Sequence, residues 1–127
     1  MRQRVSRPTA MLVAAAGLSA VALGAFGAHA LRGTIGVDAL STWHTGVEYH
    51  FWHALALFGA AAGLAQGAWR RAALALFPVG IVLFSGSLYA LALGAPRWTG
   101  AITPLGGVCF IAGWVAVGMS LLRDAEG

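Results

Sequence analysis

Three histidines, one glutamate and two tyrosines carry most of the chemistry this sequence could perform. His44, His50 and His53 fall within ten residues, and Glu48 between them is one of only four acidic residues in the chain. His29 is the remaining histidine, and Tyr49 adjoins Glu48. His50 and His53 stand three apart, which on a helix brings two imidazoles near each other. Zinc and copper both favour such ligands, with Glu48 and His29 able to complete a shell. Against this, the spacing lacks a cysteine or a third ligand at a fixed interval, so no metal and no cofactor are expected. The alternative chemistry is proton or ion handling, in which Glu48 shares a proton with a nearby histidine. A relay, however, needs polar groups through the whole membrane thickness, and Ala56–Gly67 and Ala72–Leu83 offer almost none. Ser85 and Ser87 lack the Gly-x-Ser-x-Gly elbow of an activated nucleophile, and no phosphate loop or dinucleotide fingerprint is present. No enzyme is expected.

The elements that must position these residues follow from composition. Of 127 residues, 59% are hydrophobic and 9% charged, where a soluble domain carries about 25% charged residues. Such a chain has too little polar surface for water, and the bilayer is its expected medium. The net charge of +4 comes from eight arginines and no lysine. These lie between apolar runs and are not clustered with stacking aromatics, which argues against a nucleic-acid partner. Cys109 is the only cysteine. It excludes an intramolecular disulfide and reads as inert packing.

One membrane domain is expected over residues 1–127, with spans at about 9–28, 45–66, 72–94 and 104–122, each near the ~20 residues that cross a bilayer. The first run also resembles a signal peptide ending Ala28-His29-Ala30, but it is too long for a signal core and is expected to remain uncleaved. Gly33 and Gly36 break the first helix, and Asp38 is expected to cap the next. Val37, Leu40, Trp43 and Val47 follow helical spacing, which suggests a short interfacial helix before the second span. Pro78 predicts a kink in the third span, and Thr103-Pro104 an N-cap that opens the fourth.

With both termini on one side, that side holds Arg2, Arg4, Arg7, Arg70, Arg71 and Arg123, against Arg32 and Arg97 opposite. The positive-inside rule then puts both termini in the cytoplasm. Trp43 and Trp98 are expected in the outer aromatic belt and Trp69 in the inner one. The fold class is therefore all-α, a four-helix antiparallel bundle integral to the membrane.

On the second helix Glu48, Tyr49, Trp52, Ala56, Gly59, Gly63 and Gly67 lie within about 100° of one another. This face of small residues is expected to pack inward, with Val47, Phe51, Leu57 and Phe58 toward lipid. His53 borders the inner face, and His50 points further round toward the headgroups. In the first helix Ala16, Ala20, Gly24 and Ala28 recur every four residues; in the third, Gly86, Ala90 and Gly94 do the same. Antiparallel helices carry His29, Glu48, Tyr49, His53, Ser85, Ser87 and Tyr89 to the outer half of the bundle, a candidate polar cluster of structural or binding character.

Four blocks are familiar: Leu23-Gly-Ala-Phe-Gly-Ala-His29, Gly46-Val-Glu-Tyr-His-Phe-Trp-His-Ala54, Leu83-Phe-Ser-Gly-Ser-Leu-Tyr89, and Thr103-Pro-Leu-Gly-Gly107 with Gly113-Trp114. In order and at matching spacing, they resemble the domain-of-unknown-function 423 family of small bacterial inner-membrane proteins, to which animal transmembrane protein 256 is distantly similar. The resemblance spans Ala16 to Trp114. It implies a four-helix membrane protein with an uncleaved first helix, and no established catalysis, cofactor or substrate. The residues matching its motifs are His29, Glu48, Tyr49, His53, Ser85, Gly86, Ser87, Tyr89, Pro104, Gly106 and Gly107; His44 and His50 fall outside them.

Taken together, these features point to a structural or interaction protein of the inner membrane, a lipid-embedded homo-oligomer or the support of a membrane partner. Gly24, Gly59, Gly63, Gly86, Gly106 and Gly107 are its expected helix-packing positions. A small permease, channel or metal/proton-handling protein, with its site at Glu48, His53, Tyr89 and His29, is the alternative.

Overall fold

The computed structural model describes residues 5–126, and every regular element among them is helical. Arg2 and Arg4, which enter the arginine count above, lie outside the described residues. The elements are α1 (Arg7–His29), α2 (Val37–Gly63), α3 (Ala68–Gly80), a π turn (Ile81–Ser85), α4 (Gly86–Ala92), a 3-10 turn (Arg97–Ala101) and α5 (Thr103–Glu126). Ser6 opens α1, its hydroxyl accepting from the Thr9 amide at 3.3 Å. Pro8 sits in the first turn, where its missing N–H costs nothing.

Where the sequence predicts a kink at Pro78, α3 runs through it to Gly80 and the ladder then widens. Proline lacks a donor and crowds the carbonyl four residues back. Just beyond it, the Gly86 amide reaches the Ile81 carbonyl, an i→i+5 bond that closes the π turn. So α3, the π turn and α4 form one rod from Ala68 to Ala92. This rod, α1 and the segment Arg97–Glu126 are each long and apolar enough to cross a membrane.

The rods run alternately up and down, as cross-contacts show. Gly27 faces Trp43, Gly24 faces Val47, and Ser19 meets His50, so α1 and α2 are antiparallel. Tyr89 packs on Gly46 and Arg70 bonds Ala61, so α2 and the third rod are too. Phe84 lies on Gly106 and Phe77 on Gly113, which sets α5 antiparallel to that rod.

A recurring device holds the crossings: an aromatic ring on one helix fills the space a glycine leaves on the next. A Cβ on Gly113 would come within 2.6 Å of Phe77, one on Gly80 within 2.5 Å of Phe110, and one on Gly46 within 2.8 Å of Tyr89. At Gly106 it would strike the Phe84 backbone, 2.7 Å from the Cα. In lipid, helices associate mainly by such close packing, because burying apolar area gains little there. The central core gathers Ala54, Leu57, Phe77, Ile81 and Phe110, and a second cluster near the α1–α2 loop gathers Leu31, Trp43 and Ala92.

Several expectations for α2 are corrected. It is one continuous helix from Val37, with no separate interfacial helix, and its N-cap is Gly36, with Asp38 in the first turn. There the carboxylate complements the positive end of the helix dipole. Its inward seam is Trp43, Gly46, His50, His53, Leu57, Ala60 and Leu64, all buried, at alternating steps of three and four. That is the spacing of a helix meeting neighbours along its length. Much of the face expected to be internal is instead external: Glu48, Trp52, Gly59 and Gly63 are exposed, although Tyr49 and Ala56 are partly buried against the core; of the residues expected toward lipid, Phe58 is exposed but Leu57 is fully buried. The large side chains on the seam, Trp43 and Leu57, fill the interior better than a glycine stripe would. Trp43 is likewise a core residue at 2% exposure, not part of an outer belt. Its indole N–H donates to the Leu23 carbonyl at 2.9 Å. Trp69 and Trp98 are exposed.

Of the expected packing glycines, Gly24 touches Val47 and Gly106 meets Phe84. A Cβ on Gly107 would reach only the Phe84 ring edge at 3.9 Å, and Gly59, Gly63 and Gly86 have nothing within 4 Å.

Candidate functional site

The buried polar side chains of α2 each tie two or three rods together. His50 sits at the centre of the first group, 3% exposed. Its Nε2 lies 3.0 Å from Ser19 Oγ on α1, and its Nδ1 lies 2.9 Å from the Tyr89 hydroxyl on α4. Ser19 donates its own proton to the Ala16 carbonyl at 3.1 Å. The serine oxygen therefore accepts from His50 Nε2–H, which leaves Nδ1 to accept from Tyr89. A directed chain results, Tyr89 to His50 to Ser19 to the Ala16 carbonyl, crossing three rods and ending on backbone.

His53, one turn deeper, is bound more tightly still. Its Nδ1 is 2.7 Å from the Tyr49 carbonyl, which can only accept, and its Nε2 is 3.1 Å from the Trp114 indole N–H, which can only donate. The ring is thus the neutral Nδ1–H tautomer with both nitrogens engaged. It stacks on Phe110 at a centroid distance of 3.6 Å and an interplanar angle of 8°. Phe77 and Trp114 close in at 5.8 and 6.1 Å. Such an aromatic box holds an imidazole as packing.

The serines complete the pattern. Ser85, with no exposure, ends the π turn and donates to the Gly46 carbonyl at 2.7 Å. Ser87 donates to the Phe84 carbonyl and pairs with the Thr103 hydroxyl of α5. Thr103 is thereby engaged across helices, where the sequence suggested an N-cap.

Of the candidate polar cluster, then, Tyr49, His53, Ser85, Ser87 and Tyr89 lie in one half of the molecule, but in separate small groups. His29 and Glu48 are exposed and join none of them. His50, expected toward the headgroups, is instead buried and bonded to side chains of two other rods. Ser19 and Trp114 complete the two histidine groups. The seven-residue seam of α2 would have revealed His50, because it selects positions 43, 46, 50, 53 and 57 regardless of residue type. Nothing in the sequence marks Ser19 until α1 is laid antiparallel to α2. His50 and His53 are each committed to other partners, and no group of three His, Cys, Asp or Glu placed to share a metal occurs among the described residues.

Beside the His50 chain lies a groove. α1 leans on α2 along its length and barely touches α3. The gap between α1 and the third rod, about 320 Å³, is lined by Leu12, Ala15, Pro78, Ile81 and Val82, with Ser19, His50 and Tyr89 along its floor. That is a volume in the range of small-molecule pockets, bordered by the π turn.

Residues 23–107 match the family model described as protein of unknown function DUF423. The chain is 50% identical over 111 residues to the UPF0382 membrane protein YwdK of Bacillus subtilis (strain 168), covering 84% of this chain and 89% of that one. It is 41% identical over 120 residues to the UPF0382 inner membrane protein YgdD of Escherichia coli (strain K12), covering 93% and 92%. A UPF0382 membrane protein of Haemophilus influenzae is 43% identical over 107 residues, covering 84% and 86%. No solved structure gives a significant match. The matched segment contains His50, His53 and Tyr89, the π turn and the crossing glycines Gly46, Gly80 and Gly106, and the chain belongs to the DUF423 family of multi-pass inner-membrane proteins.

Proposed function

We propose that this protein is a non-enzymatic structural or interaction protein, a four-span antiparallel bundle with both termini in the cytoplasm that supports a membrane partner or a second copy of itself. Three rods are long and apolar enough to cross a membrane; on this reading α2, at 27 residues the longest helix, is the fourth span, its ~40 Å length exceeding the ~30 Å hydrocarbon core. Arginine asymmetry supports the orientation.

The observation that carries the reading is the mutual satisfaction of the interior. His50, His53, Ser85, Ser87 and Tyr89 all bond one another or backbone, in small groups with no continuous path between them. Groups so engaged fix helix positions; they are not poised to react or to pass an ion. The outward face supports the partner: Ala56, Gly59 and Gly63 form the floor of a groove flanked by Trp52 and Trp114, a shape that admits a further helix. A photo-crosslinker at Leu55, at the edge of that groove, tests this in native membranes. A crosslinked dimer or heteromer is expected; recovery only at monomer mass overturns it.

A second reading, a small permease or ligand-handling protein, draws on the groove between α1 and the third rod with its Ser19–His50–Tyr89 floor. Flux in proteoliposomes that falls in Tyr89→Phe would favour it over the first.

A further inference from the structure

The end of the molecule opposite the histidines holds a buried cation with no counter-ion among the described residues. Arg70, in the first turn of α3, is only 6% exposed. Its Nη1 donates to Gln66 Oε1 at 3.0 Å and its Nη2 to the Ala61 carbonyl at 2.9 Å. Both acceptors are neutral. The Nε–H is buried with no partner, the one such side-chain atom among the described residues. A guanidinium stays charged at any accessible pH, and burying it against neutral oxygens alone is costly. No carboxylate among the described residues lies within ion-pair distance of it; Asp124 and Glu126, the acids nearest in sequence to Arg123, are exposed on α5.

Two further features raise the positive potential at the same place. Arg123 of α5 lies against Gly67, its Nη1 3.4 Å from where a Cβ would stand, so two guanidinium groups rest on the consecutive residues 66 and 67. Gly67 is also the N-cap of α3 and makes no side-chain cap at the positive end of this 13-residue helix, where the first amides lack intrahelical acceptors. Amides at a helix start together with arginine forks form a receptor for a tetrahedral anion. Trp69, 38% exposed in the same turn, marks headgroup depth.

We propose that the α2–α3 turn and the end of α5 form a site for the phosphate group of an acidic phospholipid, held by Arg70, Arg123 and the opening amides of α3. Phosphate at this depth comes from lipid, and basic pockets between helices at a cytoplasmic surface take such headgroups. A zwitterionic lipid brings its own cation to a site already carrying two, so the acidic lipid is preferred. The proposal does not depend on what the outward groove or the His50 groove binds.

The test titrates purified protein in neutral detergent with phosphatidylglycerol, with phosphatidylcholine and with inorganic phosphate, reading the melting temperature and the lipid retained in native mass spectrometry. Phosphatidylglycerol is expected to raise the melting temperature by several degrees and to remain as a one-to-one adduct. Arg123→Gln, a change at an exposed residue that leaves the fold intact, should weaken that response about tenfold, the loss of one charged contact. Arg70→Lys, which keeps the charge and removes the fork, should weaken it as well. Arg97→Gln at the opposite end should not. Equal responses to the two lipids, a wild-type response in Arg123→Gln and Arg70→Lys, or an equal loss in Arg97→Gln would each overturn the site. A shift reproduced by inorganic phosphate would overturn the lipid as its source.

Discussion

Gly106 and Gly59 are both helical glycines in a chain rich in them, and the structure predicts opposite outcomes for the same change. Alanine at Gly106 would place its Cβ 2.7 Å from the Phe84 Cα and against the Phe84 amide nitrogen. Backbone cannot rotate away as a side chain can, so α5 and the third rod must separate. Overpacking of this kind costs about 1–3 kcal/mol, and a collision with main chain belongs at the upper end. Alanine's better helix propensity returns about 1 kcal/mol, for a net loss of ~2 kcal/mol. At Gly59 nothing lies within 4 Å, so only the propensity term remains and alanine should stabilise by up to ~1 kcal/mol. Reversible unfolding in mixed micelles, followed by helical circular dichroism, measures both variants against wild type. Destabilisation by Gly59→Ala comparable to that of Gly106→Ala would show that the glycine stripe of α2 packs inward after all, and would refute the assignment of its faces.

Three further outcomes follow. Tyr89→Phe removes the donor to His50 Nδ1 and should destabilise by about 1 kcal/mol, with Ser19→Ala coupling to it in a double-mutant cycle because both act through one imidazole. Trp114→Phe keeps the aromatic wall but leaves His53 Nε2 unpaired, and should lower stability by a similar ~1 kcal/mol in the same unfolding assay. Glu48→Gln should leave the melting temperature unchanged, since the carboxylate is exposed and has no partner among the described residues; a clear loss would place it inside.

Much of the architecture was legible in the sequence. Apolar runs of span length, separated by Arg70-Arg71 and by Pro96-Arg97, mark where the rods begin and end, because lipid demands long uninterrupted helices. Antiparallel order then places Tyr89, Ser87 and Thr103 beside the start of α2. The rotation of α2 was not legible by residue type. Small residues and a carboxylate share one face, which by residue type alone reads as inward. The structure follows packing instead, and the seven-residue seam turns His50 in and Glu48 out. Trp43 misled for the same reason: an interfacial tryptophan and one that covers Gly27 read alike until α1 is in place. The π turn was half legible, since Pro78 announces a disturbed ladder but not whether it bends or widens.

The account rests on an interior whose histidines are neutral and fully partnered. Nitrogen-15 spectra of histidine-labelled protein in lipid, in a His29→Gln/His44→Gln background, report that directly. Two fixed neutral rings of opposite tautomer are predicted, His50 protonated at Nε2 and His53 at Nδ1, each unchanged in the presence of zinc. An imidazolium signal, rapid tautomer exchange, or a zinc-induced shift of either ring would contradict the account.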